Sequence, residues 1–135
     1  MSKLLFLFFS SLVLSFAAKA QSPASYAAEF TKKSGNNVVL RSPNGIYTLV
    51  YQRDGNLVLL NGKTSIWATK TNGKASTKLI FQGDGNLVLY NNTTPIWGAQ
   101  CHGKGGSYVS LQDDGNLCIY NKNNMSIWAT MTQGK

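Results

Sequence analysis

The sequence is poor in the residues that most often carry catalysis or metal binding. Its 135 residues include five acidic residues and a single histidine. Catalysis by paired carboxylates needs two acids in different environments, and only Asp113 and Asp114 are neighbours in the chain. The lone His102 supports neither a catalytic triad nor a metal cluster. The composition therefore predicts a protein that is not an enzyme and that needs no cofactor or metal.

Long hydrophobic runs are absent except at the N-terminus. Lys3 precedes an apolar run over residues 4–18, which ends in the small residues of Ala18-Lys19-Ala20. This arrangement is typical of a secretory signal peptide. It predicts that residues 1–20 are removed before Gln21 and that the protein is secreted to the extracellular space. A membrane anchor is the weaker alternative, because the run is shorter than the roughly 20 residues that span a bilayer.

Cysteine is also scarce, since Cys101 and Cys118 are the only two. A secreted chain meets an oxidising environment, in which such a pair usually closes. We therefore expect a disulfide between Cys101 and Cys118, which would contribute roughly 2 to 4 kcal/mol to the free energy of unfolding. The alternative is a pair of buried free thiols.

Positive charge exceeds negative charge without forming a cluster. Loss of Lys3 and Lys19 with the signal peptide lowers the 13 basic residues to 11, against five acidic ones, which gives a net charge of +6. The remaining lysines are scattered, and only Lys32 and Lys33 are adjacent. A nucleic-acid surface needs a basic stripe. The sequence therefore predicts no nucleic-acid partner, and it predicts no membrane insertion for the mature protein.

One sequence unit occurs three times in the chain. Residues 47–60, 77–90 and 107–120 align without gaps, and each segment contains Gln-x-Asp-Gly-Asn-Leu. Each copy is followed by an Ile-Trp pair, whose tryptophans are Trp67, Trp97 and Trp128. Self-similarity at a fixed period indicates a repeat architecture. Three units of about 30 residues thus fill most of the mature chain.

Short alternating apolar runs, separated by Gly, Asn, Lys and Thr, predict an all-β domain with tight turns. A unit of this length has room for about four strands of ordinary size. We therefore expect three four-stranded antiparallel sheets related by a pseudo-threefold axis, over residues 38–130. Residues 21–37 would form an N-terminal segment, and residues 131–135 a C-terminal tail. One tryptophan from each unit is expected to fill the core at the axis.

The length of the hairpin loop decides which side chains share a face. A two-residue loop would place Gln52 opposite Leu57 and would mix polar and apolar residues on both faces. A three-residue loop over residues 53–55, ending with glycine in the left-handed region, places Gln52 opposite Asn56. Because a slip of one residue would expose the apolar face, we predict the three-residue loop.

This register gives every hairpin one apolar face, which we expect to form the core. The predicted core residues are Leu49, Tyr51, Leu57 and Leu59 in the first repeat, Leu79, Phe81, Leu87 and Leu89 in the second, and Val109, Leu111, Leu117 and Ile119 in the third.

The other face of the second hairpin collects Gln82, Asn86, Val88 and Tyr90, with Asp84 at the turn. This set suits a neutral sugar, whose hydroxyl groups both donate and accept hydrogen bonds and whose C–H groups form an apolar patch. The amides and the phenol donate and accept, the carboxylate accepts, and the valine supplies an apolar contact. The alternative interpretation is that Gln, Asp and Asn only hold the backbone of the turn.

The pattern Gln-x-Asp-x-Asn-x-Val-x-Tyr resembles the sugar-binding signature of the bulb-type lectins, the monocot mannose-binding family with a β-prism II fold. The resemblance covers about residues 38–130. It implies one mannose site for each intact repeat, with mannose-containing glycans or glycoproteins as partners. It implies that the polar side chains bind ring hydroxyls while the valine packs against the ring.

The three repeats match this signature to different degrees. The second matches at every position, with Gln82, Asp84, Asn86, Val88 and Tyr90. The third retains Gln112, Asp114, Asn116 and Tyr120 but has Cys118 in place of valine. The first retains Gln52, Asp54, Asn56 and Val58 but has Leu60 in place of tyrosine, which removes one hydroxyl contact. We therefore expect the second site to be the best and the first to be the weakest.

The competing function is that of a defence or receptor-binding module of the same fold that has lost sugar binding. The intact signature of the second repeat argues against it. Because a shallow polar site leaves little net free energy of binding, we expect weak affinity at each site. Useful strength would then come from several sites or from a homodimer or higher homo-oligomer.

Overall fold

A computed structural model describes residues 28–135, which form eleven β-strands and no helix. In chain order the strands are β1 (Ala28–Thr31), β2 (Asn37–Arg41), β3 (Tyr47–Tyr51), β4 (Leu57–Asn61), β5 (Thr64–Ala68), β6 (Lys78–Phe81), β7 (Leu87–Asn91), β8 (Thr94–Gly98), β9 (Gly106–Leu111), β10 (Leu117–Asn121) and β11 (Ser126–Ala129). The expected signal peptide lies outside the described residues. In the part of the chain that the structure describes, no helix is long and apolar enough to cross a membrane.

The strands form three antiparallel sheets, one for each repeat. Their strand orders are β2-β3-β4-β5, β1-β6-β7-β8 and β11-β10-β9. The all-β fold with three antiparallel sheets is as predicted, but each repeat contributes three strands instead of four. The fourth strands of the first two sheets, β2 and β1, precede the repeats, and no strand among residues 28–135 pairs with the outer edge of β9.

The hairpin register confirms the three-residue loop. In the first repeat the backbone amide of Gln52 donates to the backbone carbonyl of Asn56 at 2.8 Å, and Val50 pairs with Val58. Gly55 closes the turn at a φ of 92°, a conformation that glycine adopts without steric cost. Turns of the same kind close the other two hairpins. There the backbone amides of Gln82 and Gln112 donate to the backbone carbonyls of Asn86 and Asn116.

The apolar faces of the three hairpins form the core between the sheets. All twelve predicted core residues are buried, and the most accessible of them, Leu111, is 5% exposed. The phenol of Tyr51, although buried, donates to Ser76 Oγ at 2.7 Å, which satisfies its hydroxyl. Alternation along the strands thus places one face of every hairpin in the interior.

The three tryptophans meet near the axis that relates the sheets. Their ring centroids lie 5.7 Å apart for Trp67 and Trp97, 5.9 Å for Trp67 and Trp128, and 6.0 Å for Trp97 and Trp128. All three pairs are edge to face, a geometry that contributes about 0.5 to 1.5 kcal/mol for each pair beyond burial. The rings are partly buried and pack against the core, as their identical sequence contexts predict.

A connecting segment after each tryptophan strand folds back on the turn of its own repeat. The amides of Gly73, Gly103 and Gly134 donate to the carbonyls of Asp54, Asp84 and Asp114, at 2.8, 3.0 and 2.8 Å. Residues 131–135, which the sequence analysis assigns to a tail, belong to the third copy of this segment. The carbonyl of Lys135 also accepts from Tyr47 Oη at 3.1 Å, so these residues pack on the first sheet.

The expected disulfide is wrong, because Cys101 and Cys118 are both free and buried. Cys101 lies in the connecting segment of the second repeat, where its Sγ is 3.5 Å from the Gly85 carbonyl oxygen. Cys118 lies on β10 in another sheet, paired with Ser110 and Ala129. Each thiol occupies a packed position within its own repeat, and burial raises the pKa of both.

Candidate functional site

The five signature residues of the second repeat line one open cleft on the outer face of their sheet. Val88 is buried at its floor, and Tyr90 stands half-buried at its side. The cleft has a volume of about 430 Å³. It is lined by Gln82, Asp84, Asn86, Val88, Tyr90, Pro95, Ile96, Trp97, Gly98, Gln100 and His102.

A chain of hydrogen bonds links three of these side chains. The hydroxyl of Tyr90 donates to Gln82 Oε1. The amide nitrogen of Gln82 in turn donates to both carboxylate oxygens of Asp84, each at 3.1 Å. The chain fixes the three polar groups on the same side of the sheet, as the predicted register requires.

Asp84 and Asn86 also hold the turn, so the alternative interpretation is correct for part of each side chain. Asp84 Oδ1 accepts from the backbone amide of Asn86 at 3.0 Å. Asn86 Oδ1 accepts from the amides of Leu87 and Cys101, at 3.1 and 3.2 Å. Asn86 Nδ2 donates to no described residue. The oxygen of the Asn86 side chain therefore serves the scaffold, while the side-chain nitrogen lies beside Gly98 in the lining of the cleft.

The signature residues form one wall of the cleft. Residues outside the signature form a second wall opposite them. Pro95, Trp97 and Gly98 come from β8, and Gln100 and His102 come from the connecting segment. β8 pairs with β7 so that Gly98 lies opposite Val88 and Pro95 lies opposite Tyr90. A comparison of repeats gives one signal for this wall, because Ala68 and Ala129 replace Gly98 in the other copies.

The third repeat brings its signature residues together with different neighbours. Gln112 Nε2 donates to the Tyr120 hydroxyl. Cys118 takes the floor position and is 2% exposed. The ring of Tyr108 stacks on Tyr120, with centroids 5.3 Å apart and planes inclined by 22°. Burial, followed by a hydrogen bond and electrostatic interaction with Cys118, raises the pKa of Tyr120 to about 12.

The first repeat keeps the turn but lacks the chain of polar side chains. Asp54 Oδ1 accepts from the Asn56 amide at 2.9 Å, as in the other copies. Leu60 has no hydroxyl, and the Gln52 side chain forms no hydrogen bond with the described residues. The first repeat therefore has neither the phenol nor the bonded glutamine side chain that the other two repeats place on this face.

Solved structures resemble this fold closely. A monomeric monocot mannose-binding lectin from Gastrodia elata is 36% identical, with coverage of 81% of this chain and 99% of that one and a TM-score of 0.65. A mannose-specific bulb lectin from Scilla campanulata is 30% identical over 78% of this chain and 97% of its own, with a TM-score of 0.55. A lectin from Marasmius oreades is 28% identical over 82% and 95%, with a TM-score of 0.65. No protein-family model and no curated protein sequence matches the chain.

The three sheets and the signature cleft place the chain among the β-prism II lectins, which are non-catalytic carbohydrate-binding proteins. The chain belongs to the bulb-type, monocot mannose-binding lectin family.

Proposed function

We propose that the protein is a secreted lectin that binds mannose or mannose-rich glycans through the cleft of the second repeat. The observation that carries this proposal is the convergence of Gln82, Asp84 and Tyr90 above Val88, on the same face as the amide nitrogen of Asn86.

The free atoms in this cleft suit a neutral hexose. The Asp84 carboxylate accepts from sugar hydroxyls, and Asn86 Nδ2 donates to them. The Tyr90 hydroxyl and the Gln82 side-chain amide are bonded to each other, and each can replace this hydrogen bond with one to the ligand. The aliphatic side chain of Val88 offers a surface for the C–H groups of the ring.

The two other repeats support multivalent binding of graded strength. The third retains a paired amide and phenol, Gln112 and Tyr120, whereas the first has neither that pair nor the tyrosine. Weak sites gain strength when one glycan surface engages several of them. Secretion rests on the signal peptide expected over residues 1–20.

An NMR titration with methyl α-mannoside tests the proposal, because each repeat has its own backbone amide signals. We expect the amides of residues 82–90 to shift first. Tyr90→Phe removes one hydroxyl contact and should weaken binding at this site about fivefold, since a lost hydrogen bond costs about 1 kcal/mol. Tyr47→Phe is the matched control, because the Tyr47 hydroxyl bonds to the Lys135 carbonyl away from the cleft.

The control should leave the affinity unchanged. A folded parent protein whose cleft amides do not respond to any mannoside would rule out sugar binding and would favour the module that has lost it.

A further inference from the structure

Basic residues that lie far apart in the sequence meet at the turn of the first hairpin. Lys32 Nζ donates to the Arg53 carbonyl at 2.8 Å and lies 5.8 Å from the centre of a tyrosine ring on β3. The connecting segment of the repeat folds back on the same turn, where the carbonyl of Lys74 packs so closely on Gly55 that a side chain there would collide with it. The four cations at this turn, which we name the first-turn cluster, are Lys32, Arg53, Lys70 and Lys74.

The backbone fixes Lys70 at the edge of the outer face of the first sheet. The backbone amides on either side of it both donate to the hairpin, one to the Leu57 carbonyl at 3.0 Å and the other to Asn56 Oδ1 at 3.1 Å. Lys70 has a φ of 59° and an exposed side chain. Its counterpart in the second repeat is Gln100, which lines the cleft. The first repeat therefore has a cation where the second repeat has a neutral amide.

The first-turn cluster has little negative charge beside it. Among residues 28–135 the only ion pair joins Lys78 to Glu29 in the second sheet, so no carboxylate of that range pairs with the cluster. The acidic residue of the first turn is Asp54, whose Oδ1 accepts from the backbone amide of Asn56. Every member of the cluster except Lys32 is exposed. The turn therefore carries net positive charge that is open to solvent and that attracts anions.

The other two turns have no such cluster. At the positions of Arg53 and Lys70, the second repeat has Gly83 and Gln100, and the third has Asp113 and Met131. The positive charge is thus a property of the first repeat and not of the fold that the three repeats share.

The face beside the cluster keeps part of the sugar-binding signature. Val58 is buried at the position of the floor, and the Gln52 side chain, which forms no hydrogen bond with the described residues, is able to bond to a ligand. A nucleic-acid strand would need an exposed aromatic ring on which to stack its bases. The aromatic ring at this turn, that of Tyr51, is buried. The surroundings of the cluster therefore favour a sugar as the anionic partner.

We propose that the first repeat binds anionic glycans, which are sugar chains that carry sulfate or carboxylate groups. A ring would lie over Val58, and its anionic groups would contact Arg53 and Lys70. A guanidinium group donates two parallel hydrogen bonds to such an anion, whereas an ammonium group acts as a point charge. Both the site and the ligand differ from those of the proposed function, so the inference goes beyond it. Leu60 in place of tyrosine then belongs to a site with a different ligand.

NMR titrations at low ionic strength test this proposal with three tetrasaccharides. Two of them are anionic, sulfated isomaltotetraose and tetragalacturonate, and the third is neutral isomaltotetraose. We expect the backbone amides of residues 52–60 to respond to at least one anionic probe, with an affinity at least fivefold higher than for the neutral one. The affinity should fall as salt is added, because salt screens exposed charges.

The double variant Arg53→Gln with Lys70→Gln should weaken binding of the anionic probe at least fivefold. Glutamine already occupies the equivalent left-handed position of the second repeat, so the variant is expected to fold. Lys63→Gln with Lys122→Gln is the matched control. It removes the same charge from two exposed lysines, in the turns between β4 and β5 and between β10 and β11, and should change the affinity less than twofold.

Three results would overturn the inference. The first is no response of residues 52–60 to either anionic probe, and the second is an equal loss of affinity in the two double variants, which would mean that the probe responds to net charge alone. The third is tighter binding of phosphatidylglycerol vesicles or of an oligothymidylate than of both anionic tetrasaccharides. The response of residues 82–90 to methyl α-mannoside reports separately on the proposed function, so either can fail while the other stands.

Discussion

The second and third repeats fold in the same way, but different side chains accept the hydrogen bonds of their buried backbone amides. In the third repeat the Thr130 hydroxyl accepts from the Leu117 amide at 3.1 Å and donates to Asn116 Oδ1 at 3.3 Å. The second repeat has Ala99 at the equivalent position, and there the Leu87 amide bonds directly to Asn86 Oδ1. The comparison teaches that the side-chain oxygen of the signature asparagine stabilises the turn, and that its importance for stability depends on the neighbouring side chains.

The outer faces of these two repeats differ more than their turns do. The second repeat has Val88 and Gly98 opposite each other, which leaves the cleft open. The third has Cys118 opposite Ala129, and Tyr108 covers one side of Tyr120. Substitutions around a shared signature therefore give two sites of different shape and polarity.

The largest difference between the two repeats is expected from Asn86→Ala and Asn116→Ala. Asn86→Ala leaves the buried amides of Leu87 and Cys101 without an acceptor and should lower the free energy of unfolding by about 2 to 4 kcal/mol. Asn116→Ala should cost about 1 to 2 kcal/mol less, because the Leu117 amide keeps its bond to the Thr130 hydroxyl. Urea denaturation of both variants measures the difference.

Ala99→Thr provides the control for that explanation. In the Asn86→Ala background it supplies a hydroxyl to the Leu87 amide, as Thr130 does for Leu117, and should restore about 1 kcal/mol. Equal losses in the two asparagine variants, or no rescue by threonine, would contradict the different roles assigned to the two asparagines.

The sequence predicts the hairpins well because their determinants are local. Alternation and the left-handed glycine fix the register, so that the interior face and the shared side of Gln82 and Tyr90 both follow. The three tryptophans are predictable for a related reason, since an identical residue in each of three symmetric units must lie at equivalent distances from the axis.

Features that depend on packing between distant segments were not predictable. The disulfide was expected from compartment alone, whereas Cys101 and Cys118 take positions that threonine and valine occupy in other repeats. The fourth strand of the second sheet comes from residues before the repeats, which carry no repeat pattern. Gln100 has a left-handed φ of 63°, which is set by its neighbours and not by the propensity of glutamine: the backbone amides of Ala99 and Cys101 both donate to the hairpin, to the Leu87 carbonyl and to Asn86 Oδ1.

The pH dependence of stability should show the effect of the Tyr120 phenol in the third repeat. Because the pKa of Tyr120 rises from 10.0 to about 12 in the folded protein, the folded state holds that proton more tightly than the unfolded state does. Its contribution to the free energy of unfolding is complete below pH 10 and declines as the pH rises from 10 to about 12. Ultraviolet absorbance of the ionised phenol, compared with Tyr120→Phe, measures this step.

Cys118→Val places a valine at the floor of the third site, as in the second, and tests whether Cys118 raises the pKa of Tyr120. The hydrogen bond and the electrostatic interaction with Cys118 both raise the pKa of Tyr120, so the variant should shift the high-pH step to lower pH. An unchanged step would assign the raised pKa of Tyr120 to burial and to the neighbouring Tyr108 instead of to Cys118.

The smallest expected effect comes from exchanging the residues opposite the floor, with Gly98→Ala in the second repeat and Ala129→Gly in the third. The added methyl group of Gly98→Ala meets its neighbours at 3.5 Å or more, so the fold accommodates it and stability should change by less than about 1 kcal/mol. It occupies the space above Gly98, beside Asn86 Nδ2 and Val88 Cγ2, and should weaken the binding of methyl α-mannoside at the second site roughly two- to fivefold, which corresponds to about 0.4 to 1 kcal/mol. Ala129→Gly should improve binding at the third site by less than that, because Cys118 and not valine lies at its floor. The NMR titration with methyl α-mannoside measures both changes, and undiminished binding by Gly98→Ala would mean that the ligand does not enter the space above Gly98.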